Sequence, residues 1–197
     1  MKIYRICSRR GTDRVGRKEA LPFMWSLSNR IQFERCISDL LATAGVSQLK
    51  DIGAHYLTNC YEHSLFVAYV SFLFCRYFNW DFVAAARGGL LHDLFLYDRK
   101  KDPYEGKHLL SHPRRALENA VKLAPLNDRE KDIIVKHMWP LTWKLPKYRE
   151  SFVVSTADKL CALTECLPLY KWMHVRKALN FRPHPEAARI SSGPENP

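Results

Sequence analysis

The chain reads as an all-α bundle. Apolar residues recur at helical spacing through its middle, cap and stop residues punctuate those stretches, and no stretch alternates apolar with polar residues as a half-buried strand would. With 197 residues, 47% of them hydrophobic, it can bury a proper core, and one domain is the expectation.

Residues 1–20 (MKIYRICSRRGTDRVGRKEA) are basic and nearly aperiodic, and read as an N-terminal arm; Asp13 and Glu19 count against a transit peptide. Over residues 26–44, Leu27, Ile31, Cys36, Ile37, Leu40 and Leu41 share one helical face, and Gly45 is expected to end that helix. Residues 59–78 are apolar almost all round, which predicts a helix buried in the middle of the bundle. The next helix, 81–96, opens at Asp81 and carries Ala84-Ala85-Ala86 and then Gly88-Gly89. Each interior glycine costs about 1 kcal/mol relative to alanine, so a close helix–helix approach is expected there.

A fourth helix is placed from Ser111-His112-Pro113, because a first turn accommodates proline. The fifth starts at Asn127, with Glu130 completing a capping box and Leu126 available as its hydrophobic staple, and stops before Pro140. The sixth covers 151–167; Val153-Val154 would also suit a strand, but Ala157 to Glu165 favours helix. Residues 169–180 could form one more. The single helical domain is thus set at 21–181, and the proline-rich polar stretch 182–197 reads as a flexible tail.

Thirty-one Lys and Arg against 20 Asp and Glu give a net charge of +11. Such a surface attracts anions, whether nucleotides, nucleic acid or phosphorylated metabolites, or is simply a soluble basic surface. The longest apolar run, Leu65 to Cys75, is broken by Ser71 and falls short of the ~18–20 residues of a membrane span. The six cysteines form no C-x-x-C pair, so reduced thiols and a cytoplasmic location are expected.

The chemistry is carried by an ordered series: His63, His92, Asp93, His112, His137 and Asp158, at intervals of 29, 1, 19, 25 and 21 residues. Apart from the adjacent pair, each falls on a separate expected helix. Neutral imidazoles and carboxylates are the N/O donors that divalent transition metals take, and six suffice for two ions. Each residue also has an ordinary explanation. His63 could be a hydrogen-bonded core histidine, Asp158 could pair with Lys159 or an arginine, His112 could be an exposed residue near a cap, and His137 could be a cation favoured by a helix C-terminus. Asp93 is harder to explain away, because a carboxylate inside Leu90-Leu91-His92-Asp93-Leu94-Phe95 is costly to bury unless paired or on a metal.

The ordered set resembles the HD-domain superfamily of metal-dependent phosphohydrolases. The resemblance rests on His63-Ser64, Gly89-Leu90-Leu91-His92-Asp93, His112-Pro113 and Ala157-Asp158-Lys159, and spans about residues 55–167. It is similar to small bacterial members of the binuclear type, including those that split dinucleoside tetraphosphates. The resemblance implies an HD-domain-like helical bundle with two divalent transition-metal ions: iron or manganese first, with nickel, zinc or magnesium as options. His63, His92 and Asp158 would hold one ion and His112 and His137 the other, with Asp93 as the bridge and His92 and Asp93 as the catalytic pair. Water activated there would attack a phosphoester or phosphoanhydride, the substrate being a small phosphorylated molecule such as a nucleotide. Many relatives carry a lysine or glutamate soon after the His-Asp pair; here Leu94, Phe95, Leu96 and Tyr97 follow, which leaves the general acid unassigned.

Candidate substrate contacts are Arg114 and Arg115 beside His112, Lys159 beside Asp158, and His55 and Asp98. His108 could replace His112 among the ligands, and the segment from Trp139 to Arg149 could form a lip. Two alternatives stay open: a mononuclear nucleoside monophosphate phosphatase, and a non-catalytic nucleotide- or RNA-binding module.

Overall fold

The computed structural model describes residues 26–53, 58–96 and 108–166. Among them the fold is all-α, with seven α-helices, a short 3-10 turn and no sheet. The helices are α1 (Leu27–Leu41), α2 (Ala44–Gln48), α3 (Cys60–Tyr77), α4 (Phe82–Leu91), α5 (His108–Leu123), α6 (Asp128–Lys136) and α7 (Arg149–Cys166). No helix of the described residues is long and apolar enough to cross a membrane. The expected arm 1–20, the tail 182–197 and the possible helix at 169–180 lie outside the described residues.

The bundle is organised round α3, which packs against α4 and α7, while α4 also meets α1 and α6. Phe33 of α1 packs edge-on to Tyr69 of α3, with ring centroids 5.0 Å apart, and also contacts Phe72. Leu65, Leu90, Leu91, Leu94, Ile133 and Ile134 fill the centre, each 1% exposed or less. The two glycines of α4 are where helices come closest. A Cβ at Gly89 would stand 2.9 Å from the Cα of Ala68 on α3, and one at Gly88 would stand 2.7 Å from Cγ2 of Ile133 on α6. Arg87 ties three helices at their rim, its guanidinium bonding Asp39 of α1 at 2.7 Å and the buried Glu130 of α6 at 2.8 Å.

Local signals set most boundaries. Asn59, Asp81 and Asn127 cap α3, α4 and α6 through their side chains, and Asn127 with Glu130 forms the expected capping box. Three boundaries differ from expectation. Thr43, not Gly45, separates α1 from α2. Its Oγ1 donates to the Leu40 carbonyl (2.6 Å) and accepts from Val46 N–H (3.4 Å), ending one helix and capping the next, while Gly45 sits inside α2 against Leu123. α5 starts three residues earlier than expected, at His108, so Pro113 lies inside it. Being only in the second turn, this proline removes a single backbone bond near the N-terminal end of the ladder. Finally α4 ends at Leu91 rather than running to 96, which places His92 at its C-cap and Asp93 in the turn beyond.

Of the cysteines described, Cys60, Cys75 and Cys161 are buried, Cys36 is half-buried and Cys166 is exposed, and all are free thiols.

Candidate metal centre

Five chain segments converge on one buried spot. His63 comes from the first turns of α3, His92 and Asp93 from the end of α4, His112 from α5, His137 from the end of α6 and Asp158 from the middle of α7. The imidazoles of His63, His92 and His137 are 1% exposed or less and that of His112 is 6% exposed. All six residues of the sequence series are brought together. They fall into three overlapping sets whose donor atoms lie within 4.8 Å of one another: His63, His92 and Asp93; His92, His137 and Asp158; and Asp93, His112 and His137.

Hydrogen bonding fixes how the rings point. His92 sits at the C-terminus of α4 and donates from Nδ1 to the Gly89 carbonyl at 2.7 Å. His137 does the same at the end of α6, donating from Nδ1 to the Ile134 carbonyl at 2.8 Å. A carbonyl oxygen only accepts, so in each neutral ring the proton belongs to Nδ1 and the lone pair of Nε2 faces the cluster. His63 meets the buried carboxylate of Glu165 at its Nδ1, 3.0 Å from Oε2 and 3.1 Å from Oε1, and Asp158 Oδ1 at its Nε2, 3.1 Å away.

The inward-facing atoms are mostly acceptors crowded on acceptors. His92 Nε2 lies 3.5 Å from Asp158 Oδ1 and 3.8 Å from Asp93 Oδ2, yet it is a buried atom with no hydrogen-bond partner. His137 Nε2 stands 2.9 Å from His112 Nε2, and both face Asp93 Oδ1, at 3.6 and 3.4 Å. Asp93 therefore turns one oxygen to the His112–His137 side and the other to His92. Ligand atoms about 2.1 Å from a shared ion stand roughly 3.0–3.5 Å apart, which is the spacing seen here. A divalent cation would satisfy an orphaned nitrogen, relieve the lone-pair crowding and neutralise the carboxylates, so the residues fit such an ion.

The titration behaviour of the side chains points the same way. Burial opposes charge on Asp93, but the imidazoles of His92, His137 and His112 overcome it and hold its carboxyl down to about 2. Asp158 is also held well below the usual carboxylate range, burial again being outweighed, first by its bond to His63 and then by the nearby imidazole of His92. Burial would depress His63, but its bonds to Asp158 and Glu165 win and push it up to about 10. His92 is raised as well, because the nearby carboxylates outweigh its burial. His137 goes the other way, to about 3, through burial first and then the charge of His92. A proton on His63 thus does part of the neutralising that a metal ion would do.

The proposed substrate contacts are scattered. Arg114 is an exposed residue whose guanidinium pairs with Glu118 at 3.9 Å, and Arg115 is exposed beside it. Lys159 has its ammonium turned onto the end of α6: it donates to the carbonyls of His137 (2.8 Å) and Ser155 (2.9 Å) and lies 3.6 Å from Asp158 Oδ2. His55, Asp98 and the side chain of His108 lie outside the described residues. In the segment from Trp139 to Arg149, the ring of Trp139 packs edge-on against Phe152 and Trp143 stands 99% exposed. An apolar cavity of about 380 Å³ between α3 and α7, lined by residues including Val70, Phe74, Trp80 and Leu160, contains none of the six candidate ligands.

Two supporting residues escaped the sequence reading. Glu165 braces His63, and Ser155 donates from its hydroxyl toward the carbonyls of His137 (2.8 Å) and Trp139 (2.6 Å). Their spacing from Asp158 was the available signal: three residues before and seven after put Ser155 and Glu165 on its face of α7.

Comparison with protein families, with curated proteins and with solved structures finds no match to this chain.

Proposed function

We propose that the chain is a metal-dependent phosphohydrolase of the HD type, with a binuclear His/Asp centre. The observation that supports this best is the convergence of four histidines and two aspartates from five segments, with His92 Nε2 buried and unpartnered at their centre. His63, His92 and Asp158 would hold one ion and His112 and His137 the other. Asp93 would be shared, since its two oxygens face the two sides. Bound divalent ions supply Lewis acidity to a phosphoryl group and lower the pKa of water into the neutral range.

The protein's own residues have the tasks of holding and orienting. The backbone carbonyls of Gly89 and Ile134 lock the tautomers of His92 and His137, so each presents a lone pair without a proton having to move. Asp93 and Asp158 stay ionised, as ligand carboxylates must. The neighbouring apolar residues Leu91, Leu94 and Phe95 are buried, with the Phe95 ring edge-on to His112, and a low-dielectric surrounding strengthens electrostatics. The net charge of +11 favours an anionic substrate, and a nucleotide or another small phosphorylated molecule is the reading adopted.

Elemental analysis of protein purified without chelator, beside Asp93→Ala, tests the metal. About two transition-metal ions per chain, lost in the variant, support the binuclear site. One ion favours the mononuclear phosphatase, and none after reconstitution refutes the hydrolase. A screen of phosphate monoesters, diesters and anhydrides with the loaded protein then tests the activity, and salt-sensitive RNA binding without turnover would point instead to a binding module.

A further inference from the structure

We infer that Glu165 is a positioning residue for His63, held in place by Thr58, and that it strengthens ion binding selectively on the His63 side of the cluster. The inference rests on the metal reading above.

Glu165 is fully buried, although it lies in the last turn of α7. A carboxylate there faces the negative end of the helix dipole, and burial adds to the cost, so neither helix capping nor solvation explains it. What holds it is a pair of contacts across the bundle. Thr58 Oγ1, itself 8% exposed, donates to Oε2 at 3.0 Å, and His63 Nδ1 sits 3.0–3.1 Å from both oxygens. Since α7 also supplies Asp158, one helix meets both nitrogens of the His63 ring: Asp158 at Nε2 and Glu165 at Nδ1.

The consequence lies in the tautomer. If Nε2 is to offer its lone pair to an ion, the ring proton must sit on Nδ1, and Glu165 is the acceptor already waiting there. His92 and His137 are also oriented through Nδ1, but by neutral backbone carbonyls. A carboxylate raises the donor strength of the imidazole it braces, and a carbonyl does so less. The side formed by His63, His92 and Asp158 therefore depends on Glu165 for part of its affinity, and the His112 and His137 side does not.

The test uses the full chain, with Glu165→Gln, which keeps shape and loses charge, and Thr58→Val, which leaves the charge but removes its anchor. Stepwise Mn²⁺ and Co²⁺ affinities are measured by chelator competition, with the visible spectrum of bound Co²⁺ as a signature and helical circular dichroism as a check on folding. The expectation is two resolved steps, with one weakened about 10- to 100-fold in Glu165→Gln, the other unchanged and the Co²⁺ spectrum altered. Thr58→Val should shift the same step in the same direction by less. A folded Glu165→Gln with both steps unchanged, or both weakened equally, would overturn the inference, since a purely structural carboxylate predicts no selectivity. Should Glu165→Gln not fold, two unchanged steps in Thr58→Val overturn it. Wild-type protein that binds neither ion would overturn the metal reading and this inference together, whereas a binding wild type with indifferent variants refutes the inference alone.

Discussion

Replacing Gly89 by alanine would displace His92 without altering it. The added Cβ would stand 2.9 Å from the Cα, 3.3 Å from the N and 3.5 Å from the Cβ of Ala68. Carbon atoms rest about 3.5–4.0 Å apart, and the opposing atoms are largely backbone, which no rotamer change can move. α4 must therefore retreat from α3 by about 0.6–1 Å. Overpacking of this kind costs about 1–3 kcal/mol, offset by about 1 kcal/mol of improved helix propensity. The net loss of up to about 2 kcal/mol lowers Tm by about 2–4 °C for each kcal/mol in a chain of this size. The effect on the cluster is larger than the effect on the fold. His92 hangs from the Gly89 carbonyl and moves with it, several times further than the roughly 0.2 Å tolerance of a metal–ligand distance. Ion affinity should fall by at least about tenfold, the lower end of what disturbing a ligand's support costs. Scanning calorimetry and chelator competition measure the two effects, with Gly53→Ala as control, because a Cβ at Gly53 meets nothing within 4 Å. A Gly89→Ala protein that gains stability and keeps its ion affinity would refute the close approach and the chain of reasoning from it.

The same geometry predicts further outcomes. His112→Ala should remove one ion and leave the other, by elemental analysis; loss of both would argue for a single shared site. For the metal-free protein, His63 is raised from 6.5 to about 10, so its contribution to stability is complete below pH 6.5 and disappears as pH rises through 10. His137 is lowered from 6.5 to about 3, so the unfolded chain takes up that proton first and stability falls as pH drops below 6.5; Asp93, lowered from 3.8 to about 2, adds to the loss below 3.8. Thermal melts with chelator should therefore peak near pH 6.5, and His63→Gln should flatten the alkaline side. Because an ion must displace the Nε2 proton of His63, affinity should rise with pH between about 7 and 9, with proton release detectable by calorimetry in two buffers. Arg87→Met should cost about 3 kcal/mol in a denaturant titration, since it strands the buried Glu130, yet leave ion stoichiometry unchanged. Loss of metal in that variant would mean the rim and the centre are coupled.

Most of the ligand series was legible because it depends on residue type and order, and members within helices, such as His63, are anchored by an apolar helical pattern that fixes which way they face. His63 points inward with Val67, and both are buried. The glycines of α4 were legible as a packing device for the same reason: a doubled helix-breaking residue has a cost that only a close neighbour explains. The braces were not legible. Glu165 and Lys159 have the composition of an ordinary solvated helix face, and only the tertiary meeting of α7 with α3 and α6 shows one buried beside an imidazole and the other locked on a carbonyl. The position of Pro113 was not legible either, because the local preference of proline for a first turn says nothing about whether a turn of helix precedes it.

The two helix ends show why this spot attracts a cation at all. α4 and α6 both stop at a histidine that donates back to a carbonyl three residues earlier, so one local motif is used twice on elements that pack together. Each use satisfies a terminal carbonyl, fixes a tautomer and aims a lone pair at the same point. Each also brings the negative end of a helix to that point, where positive charge is favoured. Read from sequence alone, His137 was as well explained by being that positive charge itself. In the structure its burial outweighs the dipole and its pKa falls to about 3, so the ring is neutral. The favourable potential then remains for whatever sits beyond Nε2, next to two ionised aspartates. Two inward-facing imidazole nitrogens, two carboxylates and two helix C-termini facing one point constitute a demand for positive charge that hydrogen bonds alone leave unmet at His92 Nε2.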